Sequence, residues 1–371
     1  MKWFVGLLFS LLLSSNGFAQ VKAPVALPNP TADALADQTV RDWQAGKFKP
    51  APPDAKKLEA TISPTELLQE QLRALAQQVK FSPAPKNAKV SFNLRKVALD
   101  GAARVYSYPI TSADLGDETL SITLVPDGTG WKADTVQIGS SGDLIPEFVK
   151  TIWGAWLFAA ISALLLWASI AKTPWRVLLE QNWQMVKAYK GIFIGTYAAL
   201  FGLFALGTLF GIANPSIVKA IGEFLSTVLS ANGVAELTQT NVASAAFGIT
   251  WNNIRSGIFL TSYVPGSLFA VPAYLIAFFQ YPFYGLALAP VGTLPLGAWL
   301  LHIPTIIIEL GSYIYIVAAS GVMLFRVIKK TPFTFAFLEY TRCLPVAISF
   351  LILAAWYEAF EIIVLIPLLL K

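Results

Sequence analysis

The chain of 371 residues contains a single cysteine, Cys343, and a single histidine, His302. One cysteine cannot form an internal disulfide, and it excludes a metal cluster built from several thiolates. The sequence also offers no Ser–His pair and no set of metal ligands at a recognisable spacing. It therefore predicts no enzyme, no metal site and no cofactor.

Charge is scarce as well, at 13% of residues, whereas an ordinary soluble domain has about 25%. The scarcity is uneven along the chain. Residues 20–147 contain 14 Lys/Arg and 15 Asp/Glu, whereas residues 148–371 contain 12 and 7 over a longer stretch. The sequence therefore predicts a soluble region followed by a membrane region. The net charge of +5 arises in the membrane region. It indicates basic loops that set the orientation of the spans in the membrane, rather than a surface that binds nucleic acid.

Residues 1–19 have the pattern of a signal peptide. Lys2 supplies the positive end, the apolar core runs from Phe4 to Leu13, and small residues precede Gln20. An uncleaved anchor helix is the alternative, although the apolar core is short for a membrane span. In either case the segment that follows is exported.

Residues 20–147 are predicted to form an exported α+β domain. One helix is expected over Thr31 to Gly46, and a second from the capping box at Ser63 to about Lys80. Four strands follow, separated by Asp- and Gly-rich turns: Lys89 to Leu99, Ala103 to Thr111, Thr119 to Val125 and Trp131 to Ile138. This order predicts two helices on one face of a four-stranded antiparallel meander.

The order of these elements, together with the segment Gly130 to Ala133, resembles small exported domains of the nuclear-transport-factor-2-like or cystatin-like folds. The domain has no histidine and no cysteine, and its carboxylates are scattered over helix faces and turns. It is therefore interpreted as a structural or ligand-binding module.

Residues 148–371 are predicted to form an all-α bundle of six transmembrane helices, because each crossing needs about 20 apolar residues. The predicted spans are Ile152 to Ala171, Gly191 to Ala213, Gly257 to Phe279, Phe283 to Leu301, Ile303 to Phe325 and Leu344 to Leu369. Basic residues cluster in Lys172 to Lys190 and in Arg326 to Arg342, which the positive-inside rule places in the cytoplasm. The exported domain then lies outside a bacterial plasma (inner) membrane, as the signal peptide independently requires.

Prolines interrupt the predicted spans three to five: Pro265, Pro272, Pro290, Pro295 and Pro304. They indicate either broken helices around a binding site or ordinary kinks. The second span also places small residues near one face, Gly191, Gly195, Ala199 and Gly202, with Gly207 and Gly211 beyond. Such a face predicts close helix packing, within the chain or in a homo-oligomer.

Three acids lie at membrane depth: Glu309, Glu358 and Glu361. A charge there costs about 2.5–3.5 kcal/mol on insertion scales, so it is usually functional or paired. Counting residues from the outer ends of the spans predicts a shared, outward-facing polar pocket with these further members: Asn252, Asn253, Arg255, His302, Thr305 and Tyr313. The pocket is interpreted as a proton- or cation-linked site with Glu309 and Glu358 as its titrating groups. A structural pair, such as Glu309 with Arg255, or acids bonded to tyrosines, is the alternative.

About half the chain, Lys187 to Lys371, resembles the stage II sporulation protein M family of bacterial membrane proteins. Three segments carry the resemblance: FGITWNNIRSGIF (Phe247 to Phe259), IPTIIIELGSYIYIVAASG (Ile303 to Gly321) and AAWYEAFEIIVLIP (Ala354 to Pro367). The residues that match the family's motifs are Asn252, Asn253, Pro304, Glu309 and Glu358. Thr305 stands where the family has a histidine, and His302 lies three residues earlier.

The founding member of that family acts beside a peptidoglycan hydrolase in cell-wall remodelling, so the resemblance implies a role at the envelope. The expected function is a non-enzymatic membrane scaffold that assembles partners for wall or envelope maintenance. The alternative is a small-solute or ion-coupled transporter that uses the outer polar pocket. Membrane lipid and other envelope proteins are the expected partners, a homo-oligomer is left open, and no nucleic acid is expected.

Overall fold

The computed structural model describes residues 28–47, 80–100, 102–113, 116–139, 147–231, 241–291 and 296–369, together with positions 66, 67 and 71. The predicted signal peptide and most of the second predicted helix lie outside these ranges. The chain forms two compact units. The sheet unit comprises Ala19–Pro146 with Ala220–Ala235, and the helical unit comprises Glu147–Lys219 and Glu236–Lys371.

Helix α1 (Pro30–Gln44) opens the described part of the sheet unit, as the sequence predicted. The Asn29 side chain accepts a hydrogen bond of 3.1 Å from the backbone N–H of Ala32, and Pro30 fills a first-turn position that needs no N–H. After the helix, Gly46 adopts a φ of +70°, which suits a left-handed stop. One face of α1 packs in the hydrophobic core of this unit through Ala32, Ala36, Val40 and Trp43.

Five strands form an antiparallel sheet: β1 (Lys89–Val90), β2 (Lys96–Asp100), β3 (Ala103–Ser112), β4 (Gly116–Asp127) and β5 (Gly130–Gly139). The strand order is β1–β3–β4–β5, and β2 also pairs with β3. The register sets Tyr106 opposite Ile122, and Ile122 opposite Val136. All three side chains are fully buried, so this row forms the centre of the core beneath α1.

The first predicted strand, Lys89 to Leu99, is wrong in one respect, because a 3₁₀ turn at Phe92–Leu94 divides it into β1 and β2. Phe92 packs edge-on to Tyr108, with 5.8 Å between the ring centroids, whereas Leu94 stays 57% exposed. A regular strand would place both side chains on one face. The turn separates them, and the sheet has five strands instead of four.

Within the described residues, four helices are long and apolar enough to cross a membrane: Ile152–Ile170, Lys190–Ala213, Leu296–Ile328 and Phe333–Leu368. The helical elements that follow the sheet are, in chain order, α2 (Glu147–Lys150), α3 (Ile152–Ile170), α4 (Pro174–Ala188), α5 (Lys190–Ala213), α6 (Pro215–Ala231), α7 (Val242–Asn252), the π-helix π1 (Asn253–Tyr263), α8 (Val264–Ser267), α9 (Val271–Ala287), α10 (Leu296–Ile328), α11 (Phe333–Thr341), α12 (Cys343–Phe360), the π-helix π2 (Glu361–Leu365) and α13 (Ile366–Leu369). These apolar helices mark a membrane-embedded unit.

The predicted boundaries of spans three and four are wrong. Helices α7, π1 and α8 form one continuous run that begins well before the predicted start at Gly257. The chain then reverses at Phe269 and Ala270, whose φ angles of 60° and 68° are left-handed, and α9 follows. Pro265 and Pro272 lie in the first turns of α8 and α9. Proline is well suited to a helix start, so Pro272 marks the beginning of α9, whereas Pro265 lies within the continuous run and does not interrupt it.

Helix α10 runs without a break through Pro304, so the predicted boundary between spans four and five is also wrong. An interior proline removes one helical hydrogen bond and disturbs the preceding turn. The Tyr357 hydroxyl donates to the carbonyl of Leu301 at 2.8 Å. A side chain from another helix thus satisfies a carbonyl in the disturbed turn, and α10 continues.

Helices α5 and α9 approach each other so closely at two glycines that a larger residue at either position would clash with the backbone of the other helix. A Cβ atom at Gly207 would lie 2.0 Å from the carbonyl oxygen of Pro282, and one at Gly285 would lie 1.9 Å from that of Phe204. The predicted small-residue face is therefore used within the chain at this end of α5. A Cβ at Gly195 or Gly202 would meet nothing within 4 Å.

The basic segment between the first two apolar helices, predicted only as a loop, forms α4. Its end meets the end of α10, because the rings of Tyr189 and Phe325 pack edge to face at 6.0 Å. Cationic residues gather there: Lys187, Lys190, Arg326, Lys329 and Lys330. We call this end of the helical unit the basic end.

Candidate functional site

Helix α10 carries a polar stripe on an otherwise apolar helix: His302, Thr305, Glu309 and Tyr313. Spacings of three and four residues place these side chains on one face. That face meets π1 on one side, and α12 with π2 on the other. We call the stripe, together with Asn253, Glu358 and Glu361, the acid–histidine cluster.

His302 and Glu361 form the first pair of the cluster. The imidazole Nδ1 lies 3.1 Å from both carboxyl oxygens of Glu361. The Thr305 hydroxyl donates to Glu361 Oε2 at 3.3 Å. Glu361 is only 1% exposed, so its carboxyl depends on these two partners rather than on solvent.

Glu309 and Tyr313 form the second pair, one helical turn apart. The Tyr313 hydroxyl donates to Glu309 Oε1 at 2.9 Å, and the Asn253 side chain lies close enough to interact with the same carboxyl. Tyr313 is held in place by Gly257 of π1, where a Cβ would approach the phenol to 2.5 Å. Glycine at that position therefore permits the ring to reach Glu309.

Glu358 lies between the two pairs. It is close enough to Glu309, His302 and Glu361 to interact electrostatically with each of them. Its Oε2 atom is buried and has no hydrogen-bond partner among the described residues. Three carboxyls therefore share one imidazole, and one carboxyl oxygen is left without a donor.

Both helices that face α10 are π-helical where they meet the cluster. Asn253 is the first residue of π1, and Glu361 is the first residue of π2. A π-helix carries more residues per turn than an α-helix, and π-helical segments are frequent at functional sites. Each segment thus brings a polar side chain toward α10 at the point where its helical winding changes.

Three buried polar atoms of the described residues lack a hydrogen-bond partner: Thr250 Oγ1, Trp299 Nε1 and Glu358 Oε2. Thr250 lies three residues before Asn253, and Trp299 lies three residues before His302, so each is one turn away on a similar face. Buried polar groups are normally satisfied, and each exception calls for an explanation. Here all three exceptions belong to the cluster or to the helical turn beside it.

Two predicted site residues lie outside the cluster. Arg255 is exposed, and no ion pair joins it to Glu309 in the described part of the chain, so the proposed Glu309–Arg255 pair is wrong. Asn252 touches the cluster only through a long hydrogen bond of 3.5 Å to Asn253. Among the described residues, no group of three or more His, Cys, Asp or Glu is placed to hold a metal ion.

The sequence reading missed the pairing of His302 with Glu361. It placed His302 between two spans, because the fourth span was predicted to end at Leu301 and the fifth to begin at Ile303. The polar spacing from His302 to Tyr313 on one helical face was the signal that could have revealed the stripe. Gly257, Trp299 and Tyr357 were also missed, and nothing in their residue types distinguishes them from other apolar-helix residues.

Comparison with family models found no match for this chain, and neither the curated proteins nor the solved structures contained a significant relative.

Proposed function

We propose that this chain is a multi-pass membrane protein in which the acid–histidine cluster binds and releases protons, coupling them to movement of a small solute or cation. The carrying observation is the buried, unpartnered Oε2 of Glu358 beside two further acids and one histidine. A purely structural network would be satisfied throughout, because an unmet buried polar group is costly. A site that binds and releases protons needs an oxygen atom that is free to accept one, as Glu358 Oε2 is.

The proposal includes six membrane crossings rather than four. Three contacts support this number. A Cβ at Gly266 would lie 2.3 Å from the Tyr340 hydroxyl, and the Phe269 ring lies 5.5 Å from that of Phe333, so the turn between α8 and α9 is at the basic end. After α9, Ala289 packs on Gly211 at the opposite end of α5. The run α7–π1–α8 and helix α9 therefore each traverse the unit.

In the proposed orientation the basic end faces the cytoplasm of a bacterial plasma membrane, because cations are retained on that side. His302 lies near the start of α10, far from the basic end, so the cluster is closer to the outer face. About 10 Å of helix separates His302 from Glu309, at 1.5 Å per residue. A proton entering from outside would meet the His302–Glu361 pair first, Glu358 next and Glu309 last.

A non-enzymatic envelope scaffold is the second candidate. The observation in its favour is the sheet unit, which has its own hydrophobic core and is large enough to present a binding surface. In that case the proposed exported domain would hold partners, and two helices on its sheet would complete the module. The cluster would then only maintain the shape of the bundle.

Charge movement in proteoliposomes separates the two candidates without knowledge of the solute. After a rapid change from neutral to mildly acidic buffer, we expect the full-length protein to give a transient current. Glu358→Gln and Glu309→Gln should abolish it. Glu339→Gln, an acid at the basic end, is the matched control and should keep it.

Normal currents in both cluster variants, with normal folded protein, would rule out the proton-coupled function. The scaffold would then be tested by crosslinking in native membranes, with and without the sheet unit. Loss of crosslinked partners only when the sheet unit is deleted would establish the second candidate.

A further inference from the structure

A separate cavity lies at the basic end, remote from the acid–histidine cluster. Its volume is about 340 Å³, and it is lined by residues of α4, the end of α10, α11, and Arg342 between α11 and α12. Small-molecule sites usually begin at about 300 Å³, so the cavity has room for a compact polar group. The residues that matter for its chemistry are Gln181, Asn182, Tyr189, Arg326, Glu339 and Arg342.

The cavity has an excess of positive charge. Arg326 is engaged in an ion pair with Glu339, which neutralises both side chains. Arg342 also lines the cavity, and the described residues offer its guanidinium no ion-pair partner. A planar guanidinium with free N–H groups matches the oxygens of a phosphate. Amide and phenol groups of Gln181 and Tyr189 are further donors on the wall.

One buried side chain fixes the walls. Asn182 is 6% exposed, and its amide nitrogen donates to the carbonyls of Leu178 at 2.9 Å and of Arg342 at 3.3 Å. Its Oδ1 accepts a hydrogen bond of 2.6 Å from the Tyr315 hydroxyl. Asn182 thus ties α4 to α10 and to the residue before α12. The backbone of Arg342 is held while its side chain remains exposed.

The wall helix α4 has the features of a helix lying at a membrane surface. Trp183 is 57% exposed, and the Lys187 ammonium lies 5.3 Å from the centre of its ring. At the other end of α4, Arg176 is paired with the exposed Glu180 at 3.0 Å. Aromatic rings beside cations are typical of the level of lipid headgroups. The cavity therefore lies where anionic lipid phosphates are concentrated.

We propose that this cavity binds a phosphate-bearing anion, with Arg342 as its principal ligand and Gln181 and Tyr189 as supporting donors. The phosphate can come from the headgroup of an anionic phospholipid in the same leaflet or from a free phosphate compound. The inference uses none of the residues of the acid–histidine cluster. It stands or falls independently of the proposed proton coupling.

The test measures thermal unfolding of the full-length protein in detergent with three additions: phosphatidylglycerol, phosphatidylcholine and inorganic phosphate. We expect protection by phosphatidylglycerol, and about tenfold weaker apparent affinity in Arg342→Gln, as a lost charge-assisted hydrogen bond implies. Lys330→Gln removes one positive charge at the same end but does not line the cavity, so it is the matched control. Native mass spectrometry of the same samples should show a retained phosphatidylglycerol molecule only in the wild type and the control.

The three additions distinguish the two possible sources of the phosphate, a lipid headgroup and a free phosphate compound. Protection by phosphatidylglycerol alone assigns the site to lipid, whereas protection by inorganic phosphate, lost in Arg342→Gln, assigns it to a free phosphate compound. Gln181→Glu is a second variant, which places a negative charge on the wall and should weaken binding as Arg342→Gln does. Equal protection by phosphatidylcholine, or no difference between the cavity variants and Lys330→Gln, would overturn the proposal.

Discussion

The acidic residues of the two units have different surroundings. In the sheet unit, Asp33 and Asp37 share Arg95, with nitrogen–oxygen distances of 3.4 and 3.0 Å. The hydroxyls of Tyr106 and Tyr108 donate to the same two carboxylates, both at 2.7 Å. Each acid thus has a cation and a hydroxyl. This network joins α1 to β3 and stabilises the unit.

The phenols of that network are fixed donors. Burial, with the hydrogen bond to Asp33, raises the pKa of Tyr106 to about 12. Burial likewise raises the pKa of Tyr108, and its bond to Asp37 adds to the effect. Both hydroxyls therefore remain protonated throughout the neutral range, and the network does not change its composition there.

The described core of the helical unit is mainly apolar, and its three clustered acids outnumber the one basic side chain beside them. Residues 310–320 of α10 are all buried, so this helix forms the close-packed centre of the unit. Glu309, Glu358 and Glu361 lie beside a single histidine. The contrast indicates that ion pairs stabilise the sheet unit, whereas the buried acids of the helical unit have fewer cations to offset the cost of their burial.

The strongest test of apolar packing is Gly207→Ala, because the new methyl group would meet the Pro282 carbonyl oxygen at 2.0 Å. We expect a loss of about 3 kcal/mol of unfolding free energy, since backbone cannot move aside as a side chain can. Gly195→Ala on the same helix is the control and should change stability by less than about 0.5 kcal/mol. Equal effects in thermal unfolding would show that α5 and α9 do not approach so closely.

The next test removes the shared cation of the sheet unit. Arg95→Met should destabilise that unit by about 2 kcal/mol, less than for a fully buried pair because its side chain is 24% exposed. Hydrogen exchange of β3 and β4 should accelerate, while α10 is unaffected. Lys89→Met, which removes an exposed cation from β1, serves as the control. Unchanged exchange in β3 would mean that the network contributes nothing to stability.

Replacing an acid of the helical unit by its amide should not lower stability as the loss of Arg95 does in the sheet unit. Glu358→Gln should leave thermal stability in detergent unchanged or raise it by about 1 kcal/mol, because a buried carboxyl oxygen without a hydrogen-bond partner is itself destabilising. The exposed Glu180→Gln is a suitable reference. A loss above about 2 kcal/mol would make Glu358 a structural acid and would abolish the contrast between the units.

The smallest expected effect is the coupling between two acids of the cluster. Because Glu309 and Glu358 interact electrostatically, the effects of Glu309→Gln and Glu358→Gln on stability should deviate from additivity by about 0.5 kcal/mol or more. A double-mutant cycle by thermal unfolding measures this term. Strict additivity would indicate two independent sites.

Local patterns were sufficient for much of the fold. The helical pattern that ends at Gly46 predicted α1, alternation predicted the strands, and uninterrupted apolar length predicted α3 and α5. The region from Val242 to Leu301 was misjudged, because hydropathy is nearly uniform there and proline can begin a helix or lie inside one. Only tertiary contacts, such as Tyr357 with the Leu301 carbonyl, distinguish these cases.

The candidate site was predictable in its members but not in its pairing. Acids in apolar helices are unusual by composition alone, which identified Glu309, Glu358 and Glu361. Which of them contacts His302 depends on the register between α10 and α12. The misplaced boundary between the fourth and fifth spans was sufficient to make that contact unpredictable. Thr250 Oγ1 and Trp299 Nε1 lack hydrogen-bond partners because of the way the helices pack, and no sequence pattern predicts this.

The tight reversal at Phe269 and Ala270 has a consequence for biosynthesis. No lysine or arginine occurs between Arg255 and Arg326, so the turn has no cation of its own to set its side of a membrane. In the proposed arrangement of six crossings, the helices on either side of so short a connection would enter the bilayer together as one hairpin. Their direction would then be set by the flanking basic segments, α4 before them and the basic end of α10 after them, rather than by the hairpin itself.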